Sequence, residues 1–272
     1  MLTEAEFALI AREVKDRAGL ALRRDAQPSL EARLTPLQRR ESMASASELV
    51  LAARKEPHLW AAITDALMIA DTRFFRDRAF FSALRSALLP ALLEQRGGQR
   101  LRIWSAGCAT GQEAYSLAIL MEEMRAQGLA GGDILATDYC ERLLDKARAG
   151  LYTQFEVQRG LPIRTLIAHF EKAGELWRTH ESLRATIQFE RRNLLEAQPG
   201  LGPFDLVLCR HVLSHLDPEA RRAALEAIAA ALAPEGVLAL GEGETLDGAH
   251  DAFMLVEAGM YRRDAAWRQA AA

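Results

Sequence analysis

Two glycines and one aspartate stand where a nucleoside could bind. Gly107 and Gly111 lie in a turn of small residues, and neither carries a Cβ that would keep a ligand away from the backbone. Asp138 follows the next apolar run, and a carboxylate there can accept hydrogen bonds from both hydroxyls of a ribose. The turn lacks a complete G-x-G-x-x-G and a P-loop lysine, so we expect a nucleoside ligand without phosphate. The alternative is that Asp138 only caps the helix predicted from Glu141.

A strand, a tight turn and a helix between residues 101 and 120 would position these groups. Residues 101–104 are apolar, small residues follow from 105 to 111, and apolar residues then recur at helical spacing. In a doubly wound α/β sheet, ligands bind at the carboxyl ends of the strands, next to the free N–H groups that begin the helix. The pattern therefore predicts that fold class and that position for the ligand.

Composition and charge exclude several classes of protein. The chain has 272 residues, 50% of them hydrophobic, and a net charge of −3, which gives no general reason to expect nucleic-acid or membrane binding. Its three cysteines form no C-x-x-C pair, so neither a zinc ribbon nor a disulfide framework is indicated. No signal peptide is recognisable, and no apolar run approaches the roughly 20 residues of a membrane span. We expect a cytoplasmic monomer with reduced thiols, no nucleic-acid partner and no membrane insertion.

The chain divides by pattern into a helical region (residues 1–70), a linker (71–77) and an α/β region (78–272). In the helical region, apolar residues at three- and four-residue steps predict a first helix that ends at Gly19. A second helix is predicted to have Ser29 as its N-cap. Two further helices are predicted over residues 46–54 and 57–69.

Residues 151–185 interrupt the alternation of strands and helices, and they predict an insertion at the carboxyl edge of the sheet. We expect a short helix over residues 163–170, and a hairpin that pairs residues 176–178 with 183–187. Residues 253–261 predict one last strand.

Six motifs in order resemble those of a known family. They are TRFFRD (72–77), IWSAGCATGQEAYSLA (103–118), ATD (136–138), QRGLP (158–162), NLL (193–195) and DLVLCRHVL (205–213). Over nearly its whole length the chain resembles the chemotaxis receptor methyltransferases, the CheR family. The resemblance implies a Rossmann-like domain that binds S-adenosylmethionine (SAM), with a small inserted β-subdomain, behind an all-helical domain that docks on receptors. It also implies methyl transfer to glutamates in the cytoplasmic helices of chemoreceptors, with S-adenosylhomocysteine as the product.

Methyl transfer from SAM to a glutamate side chain agrees with the residue types in the motifs. SAM carries a sulfonium and no phosphate, as the turn predicts. A glutamate carboxylate is already a nucleophile at neutral pH, so no general base is needed. The protein has to align the reacting atoms and exclude water.

The resemblance also implies roles for individual residues. Thr72 and Arg76 would approach the methionine end of SAM, where Arg76 either pairs with the cofactor carboxylate or steers the substrate. Glu113 would bind the cofactor ammonium or balance Arg76. The catalytic positions would be Arg76 and His215. The remaining cofactor positions would be Gly107, Gly111, Asp138, Asn193, Leu194, His211 and Val212, with Asn193 and Leu194 beside the adenine.

For the receptor, the resemblance implies a basic docking face on the helical region. Arg33, Arg39 and Arg40 would form it, because methylatable glutamates make the target negative. The alternative is that these arginines are ordinary solvated side chains.

The chain departs from the family pattern at several positions. Ala70 stands where the family has asparagine, and GQEAYS replaces G-E-E-P-Y-S at 111–116. His211 replaces an asparagine beside SAM, and His215 replaces a tyrosine near the transferred methyl group. His211 and His215 are four residues apart and close to Cys209, which invites a metal interpretation, but the spacing does not fix a third ligand beside the two histidines, so we expect no metal.

These departures leave two alternatives open. One is a binding module for SAM or S-adenosylhomocysteine with weak or lost catalysis, and the other is a methyltransferase for a different acceptor.

In some family members the inserted hairpin binds a receptor tail by strand addition. Residues 172–182 are short here, and we expect no reliance on such a tail.

Overall fold

A computed structural model describes residues 1–246, 251–257, 259–264 and 266–267. Its helical region contains four α-helices around a core of their own, in which Ile10, Leu34 and Ile63 are fully buried. Gly19 takes a left-handed conformation and ends the first helix, as predicted. The four helices are α1 (Glu4–Ala18), α2 (Gln27–Arg40), α3 (Ala46–Ala53) and α4 (His58–Leu67).

The start of α2 corrects the prediction for Ser29. The helix begins at Gln27 and has Ala26 at its N-cap, without a side-chain cap. A short turn at Arg24–Ala26 leads directly into the helix, and Pro28 then stands in the first turn, where its fixed φ and missing N–H are tolerated. Ser29 therefore lies inside the helix.

The α/β region is built on a seven-stranded sheet with the strand order β6-β2-β1-β7-β8-β10-β9. The first five of these strands are parallel, and β10 is antiparallel to both of its neighbours. This confirms the predicted doubly wound sheet. The strands are β1 (Leu101–Ala106), β2 (Gly132–Asp138), β6 (Ile187–Arg191), β7 (Phe204–Leu208), β8 (Leu232–Ala239), β9 (Phe253–Glu257) and β10 (Met260–Arg263).

Helices cover both faces of this sheet, and apolar side chains form a core on each side. A helical segment leads from the linker to β1, with a π-helical turn at Leu84–Leu88 between α5 and α6. Within the described residues, no helix has the length and apolarity needed to cross a bilayer. The helices are α5 (Arg78–Ala83), α6 (Leu89–Gln95), α7 (Gln112–Ala126), α8 (Glu141–Ala149) and α12 (Pro218–Ala231).

A small three-stranded sheet lies between α8 and β6, but its hairpin is not the predicted one. Strand β4 (Phe170–Ala173) pairs with β5 (Leu176–Thr179), because Gly174 supplies the positive φ of the turn between them. Leu183 instead lies buried in α11 (Glu181–Arg184). The other elements here are β3 (Leu151–Tyr152), which pairs with β5, α9 (Gln154–Gln158) and α10 (Ile163–His169).

The last predicted strand is also corrected. Residues 253–261 contain two strands, β9 and the start of β10, which pair with each other. Gly259 has a φ of +74° between them, which allows the chain to reverse.

Candidate active site

A cavity of about 310 Å³ opens at the carboxyl ends of β1, β2 and β7. This volume lies at the lower end of the range for small-molecule sites. The linker and the end of α1 contribute to its walls. We call it the cleft. Every predicted cofactor residue except Gly111 lines it, as does His215: Thr72, Arg76, Gly107, Glu113, Asp138, Asn193, Leu194, His211, Val212 and His215.

The two turn glycines have positive φ angles, and each also leaves space for a neighbouring side chain. Gly107 has a φ of +76°, and a Cβ there would lie 2.6 Å from Cγ2 of Val212, which also lines the cleft. Gly111 has a φ of +90°, and its Cβ would lie 2.8 Å from Cβ of Ala147 in α8. This corrects the prediction that Gly111 leaves the backbone open to a ligand, because α8 occupies that space.

Asp138 ends β2 at the wall of the cleft. Its Oδ2 accepts a hydrogen bond from the N–H of Ala109 at 2.9 Å, and its Oδ1 accepts one from the N–H of Cys140 at 3.0 Å. Burial raises the pKa of this carboxyl above its usual value, although both backbone N–H groups oppose the shift. A carboxylate has about four acceptor sites, so the two oxygens can still accept hydrogen bonds from a ligand.

Arg210, which follows β7, joins the linker to the first turn of α7. Its side chain is 1% exposed; Nη2 lies 2.5 Å from Oδ2 of Asp77, and Nη1 lies 3.1 Å from Oε2 of Glu113. The guanidinium also lies over the ring of Phe80, 4.2 Å from its centroid. Sequence reasoning missed this residue, although an arginine directly after a buried strand requires charged partners.

Glu113 therefore balances Arg210 and not Arg76, which corrects one of the two roles predicted for it; the other, binding of the cofactor ammonium, stays a prediction. Its other oxygen, Oε1, accepts a hydrogen bond from the hydroxyl of Ser105 at 2.8 Å. The carboxylate still lines the cleft.

The linker is held on both sides, which fixes Arg76 beside the cleft. The N–H of Phe75 donates to Oγ of Ser116 at 2.9 Å, and the Phe74 ring contacts that of Tyr152 edge-on at 5.0 Å between centroids. A Cβ at Gly160 would lie 1.9 Å from the carbonyl oxygen of Phe74. The linker phenylalanines are thus buried in the core, and they also anchor the segment that carries Arg76.

Arg76 keeps part of its donor capacity for a ligand. Its Nη1 donates to the carbonyl oxygen of Asp71 at 2.7 Å, and Nη2 lies 3.3 Å from the Asp71 carboxylate. Its Nε is buried and has no partner among the described residues. The guanidinium lines the cleft, and the N–H groups of Nη1 and Nη2 that Asp71 does not use can pair with a carboxylate bound there.

The two histidines occupy different environments. His211 has a φ of +57°, and its Nε2 lies 3.0 Å from Oδ2 of Asp77. His215 lies in the turn Leu213–His215, and burial lowers its pKa, so the ring is neutral near pH 7. In the described part of the chain, no three or more potential ligands are grouped to hold a metal ion.

The helical region closes one side of the cleft through backbone contacts. The N–H of Asp217 donates to the carbonyl oxygen of Gly19 at 2.9 Å, and Leu20 forms a β-bridge with Leu216. Nδ2 of Asn193 donates to the carbonyl oxygen of Arg17 at 3.0 Å. Asn193 therefore joins the two regions as well as lining the cleft.

The three predicted docking arginines differ in their burial and in their hydrogen-bond partners. Nη2 of Arg33 donates to the carbonyl oxygens of Leu67 and Met68, both at 2.6 Å, and burial lowers its pKa. It therefore caps the end of α4, which the prediction of a docking role did not foresee. Arg39 and Arg40 are exposed, and Arg40 contacts Glu41 at 2.9 Å.

Comparisons with known proteins agree with this architecture. Residues 5–68 match the family model of the CheR methyltransferase all-alpha domain, and residues 70–262 match that of the CheR methyltransferase SAM-binding domain. Chemotaxis protein methyltransferase 1 of Pseudomonas aeruginosa is 35% identical, with 93% of this chain and 94% of that protein covered. Chemotaxis protein methyltransferase Cher2 of Pseudomonas putida is 32% identical, with 88% and 90% covered.

Among solved structures, magnesium protoporphyrin IX methyltransferase from Synechocystis with bound S-adenosylhomocysteine is 18% identical. It covers 60% of this chain and 56% of its own, with a TM-score of 0.34. The family models carry the assignment, because together they span nearly all of the helical and α/β regions. The chain belongs to the CheR methyltransferase family, and it is a SAM-dependent methyltransferase.

Proposed function

We propose that the protein methylates glutamate side chains in the cytoplasmic helices of chemoreceptors, as the names of its relatives suggest for chemotaxis. The observation that carries the acceptor class is the pair of linker arginines, Arg73 and Arg76, which both line the cleft. Each also has a carboxylate partner, Arg73 with Asp77 at 3.9 Å and Arg76 with Asp71 at 3.3 Å. Guanidinium groups that line the cleft still favour an anionic acceptor such as a carboxylate over a neutral one.

The residues of the cleft fit SAM. Asp138 would offer acceptors to the ribose, and the guanidinium of Arg76 would offer donors to the cofactor carboxylate. Glu113 would take the cofactor ammonium, Leu194 and Asn193 would border the adenine, and Thr72, Gly107 and Val212 would complete the walls. When bound, SAM supplies a methyl group on a positively charged sulfur.

The acceptor glutamate is already ionised, so the protein needs only to align the reacting atoms and to exclude water from them. Because Arg76 is assigned to the cofactor carboxylate, the second linker arginine, Arg73, attracts the incoming carboxylate, and His215 stands at the acceptor end as a neutral group. Arg210 pairs with both Asp77 and Glu113, and Nη2 of Arg73 lies 3.9 Å from Oδ1 of Asp77, so the network beside the cleft has two cations for its two carboxylates.

The same proposal divides the chain by task. Residues 1–70 dock on the receptor, with Arg39 and Arg40 toward its acidic helices, and residues 71–77 carry Arg76. Residues 78–272 bind SAM, with residues 151–185 as an insertion. We further propose that the protein acts as a monomer in the cytoplasm.

The test is transfer of labelled methyl groups from SAM to membranes that bear chemoreceptors. We expect label that is released by mild base, as methyl esters require, and that disappears when the receptor glutamates are replaced by alanine. Tight binding of S-adenosylhomocysteine without transfer would favour the binding-module alternative. Base-stable label, or label on another protein, would favour a different acceptor.

A further inference from the structure

Asp77 collects three donors at the end of the linker. Its side chain is 9% exposed, and its Oδ2 lies 2.5 Å from Nη2 of Arg210, 3.0 Å from Nε2 of His211 and 3.4 Å from the N–H of Glu242. Burial raises the pKa of this carboxyl, but the hydrogen bond from His211 and the charge of Arg210 outweigh it, so the pKa is below its usual value. Asp77 is therefore an ionised and nearly buried anchor.

The His211 ring is held on its other side as well. A Cβ at Gly241 would lie 2.6 Å from Cε1 and 2.7 Å from Nδ1 of the ring, so the imidazole fills the space that this glycine leaves. Oε2 of Glu244 accepts hydrogen bonds from the N–H groups of His211 at 2.6 Å and Gly241 at 2.9 Å. Nε2 is thus directed at Asp77.

Asp77 directly follows Arg76, whose carbonyl oxygen accepts a hydrogen bond from Nη2 of Arg210 at 3.0 Å. A contact that fixes Asp77 therefore also restrains the backbone that carries the Arg76 guanidinium. His211 supplies that contact from the end of β7, on the far side of the cleft.

We propose that His211 is a positioning residue, which ties Asp77 to the end of β7 and so fixes Arg76 for the cofactor carboxylate. Its Nε2 is committed to Asp77, so this nitrogen does not bind the cofactor. The proposal rests on the SAM site and not on the identity of the methyl acceptor.

The experiment measures binding of S-adenosylhomocysteine to the full chain by calorimetry, which needs no acceptor. The amide nitrogen of glutamine lies where Nε2 of histidine lies, whereas that of asparagine lies where Nδ1 lies and cannot reach Asp77. We expect His211→Asn to weaken binding about tenfold, as loss of a hydrogen bond to a charged group does. His211→Gln should stay within about twofold of the wild type. His58→Gln, at an exposed histidine, is the matched control and should change nothing.

Gly241→Ala provides a second perturbation that leaves His211 in place. The new methyl group would push the ring from Asp77, so we expect a loss similar to that of His211→Asn. The double variant should bind like His211→Asn alone, because asparagine leaves room for the methyl group. Wild-type binding by His211→Asn, no rescue by glutamine, or additive losses would each overturn the proposal. Circular dichroism identifies folded variants, and if His211→Asn does not fold, the contrast between His211→Gln and Gly241→Ala decides.

Discussion

Replacing Arg210 with methionine tests the charge network that joins the linker to the cleft. The side chains of Arg210, Asp77 and Glu113 are 1%, 9% and 14% exposed, so the variant would leave two carboxylates with little water. Glu113 would lose its ion pair, and Asp77 would keep only the distant Arg73, whose Nη2 lies 3.9 Å from its Oδ1. Breaking a buried ion pair from one side costs about 3–5 kcal/mol. Against a typical free energy of unfolding of about 5–15 kcal/mol, that is a large fraction.

The loss should also depend on pH. In the wild type the pKa of Asp77 is lowered, so its stabilising contribution is present above the unfolded value of about 4 and is lost as the pH falls. Without Arg210, burial is opposed mainly by His211, and the ionised Asp77 becomes unfavourable. The difference between variant and wild type should therefore be larger at pH 7 than near pH 4.

The assay is urea unfolding followed by circular dichroism. Arg85→Met is the matched control, because Arg85 forms an exposed ion pair with Glu123 at 2.9 Å and such pairs contribute about 0–1 kcal/mol. A loss for Arg210→Met no larger than that of the control would refute the account of the network.

Three further predictions concern other parts of the site. Arg39→Glu should slow methylation of receptor membranes without changing the melting temperature, whereas Arg33→Ala should lower the melting temperature, because it uncaps α4; methylation unaffected by Arg39→Glu would count against the docking face. Gly160→Ala should lower the melting temperature and the affinity for S-adenosylhomocysteine, since its Cβ would meet the carbonyl oxygen of Phe74; unchanged values would contradict the clamp on the linker. Because burial lowers the pKa of His215, its contribution to the free energy of unfolding should decline below about pH 6.5. When the free energy of unfolding in urea is plotted against pH, His215→Gln should therefore fall less steeply below about pH 6.5 than the wild type. Equal slopes would contradict that assignment.

The sequence predicted the parts of this molecule that depend on local pattern. Gly19 ends α1 because a left-handed C-cap favours glycine. Gly107 and Asp138 line one cleft because the carboxyl ends of parallel strands meet at one edge of a sheet. Arg76 and Asn193 came from the family resemblance, and both line the same cleft.

The sequence-based predictions were wrong where a residue far away in the chain determines the contacts of a side chain. Gly111 packs against Ala147 of the next helix, and Arg33 is drawn to the carbonyl oxygens at the end of α4. Arg210 meets a carboxylate 133 positions earlier in the chain, and periodicity carries no information on such a pair.

The prediction of the hairpin in the small sheet was wrong for a different reason. Residues 170–187 contain several short apolar runs, and any two of them could pair. Gly174 selects β4 and β5 because it provides the positive φ that the turn requires.

The central claim is that the cleft holds SAM between the linker and the strand ends, and a crystal structure with S-adenosylhomocysteine tests it most directly. We predict that the ribose lies on Asp138, the amino-acid carboxylate on the guanidinium of Arg76, and the adenine beside Leu194, with His211 still bonded to Asp77. A cofactor bound outside this cleft, or with its carboxylate away from Arg76, would contradict the account.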